Sequence, residues 1–77
     1  MVGKPKDILP HRKLIGDSIR RSRKAAKLTQ EALAEKVHLN PKYIGEVERG
    51  EIIISIEALL RIAAVVQVPA AEFFQGL

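Results

Sequence analysis

Between Leu14 and Ala26, Ile15, Ile19, Ser22, Arg23 and Ala26 recur at helical spacing on one stripe, while Asp17, Arg20, Arg21, Lys24 and Lys27 lie mainly on other faces. The pattern predicts a first helix over Leu14 to Ala26. Arg23 on the inward stripe calls for an acidic partner, because a buried charge is costly unless paired. Lys27 and Leu28 break the pattern, and Thr29 is a good N-cap for a second helix over Gln30 to Val37, with Leu33, Ala34 and Val37 inward. That helix stops at His38 and Leu39. Asn40 is again an N-cap, and Pro41 takes the first helical position, where a missing amide hydrogen is harmless. A third helix therefore runs to Glu48 and closes at Arg49-Gly50, with Gly50 suited to a left-handed cap.

Glu51 to Ile54 connects to Ser55, the N-cap of a fourth helix over Ile56 to Val66, whose Leu59, Leu60, Ile62, Ala63 and Val66 form a broad apolar face. Pro69 opens a short fifth helix over Ala70 to Gln75. Ahead of the first helix, Gly3, Pro5 and Pro10 argue for a flexible arm, so the chain divides into an arm, 1–13, and one domain, 14–77. A chain of 77 residues supports a single core. The aromatics are Tyr43, Phe73 and Phe74 only, an aliphatic vocabulary that suits packed helices. The expected class is all-α, with five helices.

Charge adds an asymmetry: Met1 to Lys42 holds eleven Lys/Arg against four Asp/Glu, whereas Tyr43 to Leu77 holds two against five. The basic half suits an anionic partner, and the acidic half a different task such as self-association. With no Cys and two distant His, neither a disulfide, a thiolate metal site nor a His-based structural metal is expected, and no cofactor is implied. No apolar run approaches the roughly 20 residues of a membrane span. The N-terminus lacks the apolar core of a signal peptide, so a cytoplasmic location is expected. No phosphate-binding glycine loop or zinc motif points to an enzyme. His11, in the arm, and His38, in the turn, are read as solvent or packing residues, and no catalytic residue is assigned.

Two short helices joined by a three-residue turn and flanked by apolar helices satisfy a helix-turn-helix pattern. The stretch Leu28-Thr29-Gln30-Glu31-Ala32-Leu33-Ala34, followed by Ile44, Val47, Glu48, Arg49 and Gly50, resembles the lambda-repressor-like (Cro/C1, or XRE) family over Leu14 to Phe74. Small Ala34 permits a close helix crossing, and Leu33, Val37, Ile44 and Val47 plug it into the core. The resemblance implies a structural ion pair between Arg23 and Glu48.

It also implies a double-stranded DNA partner. The outward residues of the third helix would be Pro41, Lys42, Tyr43, Gly45, Glu46 and Arg49. Of these, Pro41, Lys42, Tyr43 and Glu46 are expected to meet base edges in the major groove, Lys42 donating to guanine and Glu46 accepting from cytosine. Thr29, Gln30, Asn40 and Arg49 are expected on phosphates. Lys4 and Lys6 in the arm either touch DNA or have no role. Three positions depart from the family: His38 where Gly is common in the turn, Glu46 where a basic or amide side chain is common, and Gly45 where a small polar residue is common. The apolar surplus of the acidic half suggests a homodimer through Ile52, Ile53, Phe74 and Leu77, with Ile56, Leu59 and Phe73 assigned to the monomer core. The expected function is a sequence-specific regulator on a short palindromic operator. The alternative is an antitoxin-type protein-interaction module on the same fold.

Overall fold

Three side-chain caps set the helix starts. Thr29 Oγ1 accepts from the amide of Ala32 at 3.0 Å, Asn40 Oδ1 from Lys42 at 2.8 Å, and Ser55 Oγ from Ala58 at 3.1 Å. The structure, a computed structural model, describes residues 9–77, and the proposed roles of Lys4 and Lys6 lie outside them. Within them are α1 (Leu9–Ala25), α2 (Gln30–Val37), α3 (Pro41–Glu48), α4 (Ile56–Val66) and a 3₁₀-helix (Ala70–Phe74).

The bounds of α2, α3 and α4 match the pattern of the sequence. The start of α1 does not: it begins at Leu9 instead of Leu14, so the last stretch assigned to the arm, Leu9 to Lys13 with His11 in it, is helical. Pro10 lies in the first turn, where proline removes no intrahelical hydrogen bond, so it admits a helix instead of breaking one. The fifth helix is a single 3₁₀ segment, consistent with its five residues.

All four α-helices end alike. Lys27, His38, Gly50 and Gln67 take positive φ of 61°, 59°, 74° and 61°. The following residue then donates back to a carbonyl of the last turn: Leu28 to Arg23, Leu39 to Ala34, Glu51 to Glu46 and Val68 to Ala63. This is the Schellman closure, which satisfies carbonyls left open at a helix end. Only Gly50 adopts the conformation without steric cost.

The core gathers Ile15 and Ile19 of α1, Leu33, Ala34 and Val37 of α2, Ile44 and Val47 of α3, and Leu59, Ile62, Ala63 and Val66 of α4 around Phe73. Helix α1 packs on α3 and the 3₁₀-helix, and α2 on α3 and α4. Gly16 makes the α1–α3 contact possible: a Cβ there would lie 2.3 Å from the Val47 carbonyl oxygen and 2.8 Å from that of Glu48. Two core assignments need correction. Ala26 is exposed because α1 ends at Ala25, and Ile56 is 77% exposed because, at the first position of α4, it points away from the bundle.

Candidate nucleic-acid interface

Residues that α2 and α3 bury against each other leave one stripe of α3 outside. Pro41, Lys42 and Arg49 are exposed and Glu46 is half-buried. At the flanks, Thr29 and Asn40 use their side-chain oxygens to cap α2 and α3. The Thr29 hydroxyl hydrogen and the Asn40 amide group stay available to donate outward.

Tyr43, expected to read bases, packs half-buried against the core, and its hydroxyl oxygen accepts the Ser55 amide hydrogen at 3.0 Å. It ties α3 to the start of α4. Gly45, expected outside, is buried because the side chains of Gln30 and Arg49 cover it. A Cβ at Gly45 would lie 2.9 Å from Arg49 Nη1 and 3.5 Å from Gln30 Oε1.

Arg23 and Glu48 are brought together as the resemblance implies. Arg23 Nε donates to Glu48 Oε2 at 2.6 Å, Nη2 to Oε1 at 3.0 Å, and Nη1 to the Leu28 carbonyl at 2.8 Å. Both residues are buried, at 7% and 3% exposure. The hydrogen bond to Glu48 raises the Arg23 pKa above its ordinary value, outweighing the opposing effect of burial. Gln30 joins this network, its Nε2 donating to Glu48 Oε1 at 3.0 Å. A surface residue expected on phosphate is thus positioned by the buried pair.

Arg49, also expected on phosphate, folds back across Gly45 and pairs with Glu51, Nε donating to Oε2 at 2.7 Å and Nη2 to Oε1 at 3.3 Å. This hydrogen-bonded pairing raises the Arg49 pKa and holds the Glu51 carboxyl below the usual carboxylate range. Sequence reasoning missed Glu51 because residues two apart do not face each other on a helix. Gly50, with φ of 74°, lies between the two paired residues.

Away from that stripe, Ile53, Ile56, Leu60 and Phe74 line one apolar groove, with Ile53, Leu60 and Phe74 55%, 54% and 46% exposed; Leu14 and Leu77 are exposed as well. Ile52 is half-buried against the core. Among the described residues, no group of three or more acidic, His or Cys side chains is placed to hold a metal ion, and no helix is long and apolar enough to cross a membrane.

Among the described residues, four α-helices closed by a 3₁₀ turn, two of them short and joined by a tight left-handed turn, define a lambda-repressor-like helix-turn-helix protein. The helix-turn-helix family model HTH_3 matches residues 19–73, and the chain belongs to that Cro/C1-type (XRE) family. Among solved structures it is similar to the restriction-modification controller protein C.AhdI from Aeromonas hydrophila, at 33% identity and TM-score 0.78, covering 82% of this chain and 96% of that one. The clp gene regulator ClgR from Corynebacterium glutamicum aligns at 28% identity and TM-score 0.78, covering 82% of this chain and 67% of ClgR. An HTH_3 family transcriptional regulator from Vibrio cholerae aligns at 26% identity and TM-score 0.78, over 86% of this chain and 37% of that one. No curated protein matches the chain at a significant level.

Proposed function

We propose that the chain is a cytoplasmic, sequence-specific transcription regulator that binds a short palindromic operator in double-stranded DNA as a homodimer, with α3 in the major groove. The observation that carries this reading is the exposed stripe of α3, flanked by the capped starts of α2 and α3, within a domain of the HTH_3 family. Lys42 donates to base edges or flanking phosphates beside Pro41, and Glu46 accepts from cytosine N4. Tyr43 acts chiefly by bracing α3 on Ser55. Thr29, Gln30 and Asn40 hold the sugar-phosphate backbone, which sets register and carries no direct sequence information.

The exposed apolar side chains of Ile53, Phe74 and Leu77, with Ile56, Leu60 and half-buried Ile52, form the dimer surface in this reading. Pairing there would set two α3 helices about 34 Å apart, one turn of the duplex. Selection of bound sites from a random duplex library tests the proposal. A palindrome is expected, and the absence of any enriched sequence would refute it. Gln30→Ala should then weaken all duplexes by one factor, whereas Glu46→Gln should change base preference.

A further inference from the structure

Arg49 holds a position that neither its cap role nor a phosphate contact explains. Lys42, Gly45, Glu46 and Arg49 follow one another at helical spacings of three, one and three, so Arg49 continues the exposed stripe of α3 past its last turn. Gly45 contributes no side chain to that stripe, and the Arg49 guanidinium lies over the gap, with Nη1 where a Cβ at Gly45 would intrude.

A guanidinium has two edges that can donate in pairs, Nε with Nη2 and Nη1 with Nη2. Glu51 occupies the first edge. Among the described residues the second edge meets no protein acceptor and is left free. Two parallel N–H groups on such an edge match the O6 and N7 acceptors of guanine in the major groove.

The pairing with Glu51 also argues against a phosphate role. It largely neutralises the cation, and it would set a carboxylate beside the phosphate, where like charges repel. A base edge carries no net charge, and its recognition depends on the direction of the donors, which the carboxylate fixes. Flexible Lys42 lacks such a brace.

We propose that Arg49, seated over Gly45 and braced by Glu51, is a guanine-reading residue of this protein, with Glu51 its positioning residue. The inference rests on the reading that α3 enters the major groove of duplex DNA. It moves Arg49 from the backbone-contacting set to the base-reading set and gives the Gly45 departure a purpose.

The test is competition binding over a panel of duplexes carrying every single base-pair change in the selected site, for wild type, Arg49→Lys, Glu51→Gln and the double variant. Arg49→Lys keeps the charge and loses the fork. It should reduce discrimination at one guanine per half-site by about 5- to 150-fold, the worth of one bidentate pair. Affinity for the duplex lacking that guanine should barely change. Glu51→Gln should blunt discrimination at the same base pair while raising affinity for unrelated duplexes, and the double variant should discriminate no worse than Arg49→Lys. Side chains 56% and 52% exposed predict thermal melts close to wild type for both single variants.

A uniform shift across the panel for Arg49→Lys would make Arg49 a phosphate contact and overturn the proposal. Glu51→Gln that strengthens all duplexes equally, with discrimination intact, would make Glu51 a mask and overturn it too. A wild type that prefers no sequence would overturn the functional reading itself.

Discussion

Replacing Arg23 by Met leaves Glu48, 3% exposed, with Gln30 as its one remaining side-chain donor and leaves the Leu28 carbonyl without the guanidinium hydrogen bond it accepts. Replacing Glu48 by Leu strands a guanidinium that keeps only its bond to that carbonyl. Removing one partner of a buried pair costs about 3–5 kcal/mol, most of it the penalty of the charge left behind. A domain of 77 residues holds about 4–12 kcal/mol in all, from about 0.05–0.15 kcal/mol per residue. Each single variant should therefore lose a large share of its stability, with Tm lowered by about 12–40 °C at about 4–8 °C per kcal/mol. The double variant Arg23→Met/Glu48→Leu removes both charges and fills the space with apolar atoms, so it should recover most of the loss. Urea melts followed by far-UV circular dichroism, extrapolated linearly to water, give the three values and the coupling between the sites. Single variants with wild-type midpoints, or a double variant that merely sums the two losses, would refute the reasoning.

Gly16→Ala should lower stability, because driving a Cβ into the Val47 and Glu48 carbonyls costs about 1–3 kcal/mol and outweighs the roughly 1 kcal/mol that Ala gains over Gly in a helix; a raised Tm would contradict this. His38→Gly should stabilise by about 0.5–1 kcal/mol, relief of left-handed strain being partly offset by the greater freedom of glycine in the unfolded chain, and equal melts would show that the turn stores no strain. Wild type should sediment as a dimer at tens of micromolar and Ile53→Asp as a folded monomer that has lost operator affinity; a monomeric wild type would remove the dimer. The Glu51 carboxyl, held down mainly by its hydrogen bonds from Arg49, should titrate below the usual carboxylate range by carbon-detected NMR. Its folded value lies below its unfolded one, so its contribution is fully present above the unfolded pKa and is lost as pH falls through the folded value. Arg49→Ala should return the titration to the ordinary range.

What could be read in the residue pattern was local. Thr29, Asn40 and Ser55 each precede a run of helical periodicity, and a side-chain cap acts over three residues, so α2, α3 and α4 start as the sequence indicates. The Arg23–Glu48 pair was legible because a charge on an inward stripe demands compensation and the family resemblance supplied the partner. What could not be read depends on distant chain or on fine geometry. Pro10 is a breaker in isolation and a first-turn residue in place. The need for glycine at residue 16 comes from carbonyls of another helix, and Tyr43 looks like a surface aromatic until the Ser55 amide is known to lie within reach of its hydroxyl. Gly45 was phased correctly on its helix, yet it is hidden by long polar side chains that no periodicity rule tracks.

The bond from Ser55 to Tyr43 gives the molecule a built-in optical reporter. With no Trp and a single Tyr in the sequence, near-ultraviolet emission comes overwhelmingly from Tyr43, whose ring rests against the core and whose hydroxyl oxygen holds the first amide of the α4 cap. Phenol fluorescence is sensitive to hydrogen bonding at its oxygen. A change in its intensity or lifetime therefore follows the joint between the helix proposed to read DNA and the helix that begins the apolar face, in unlabelled protein and at one residue.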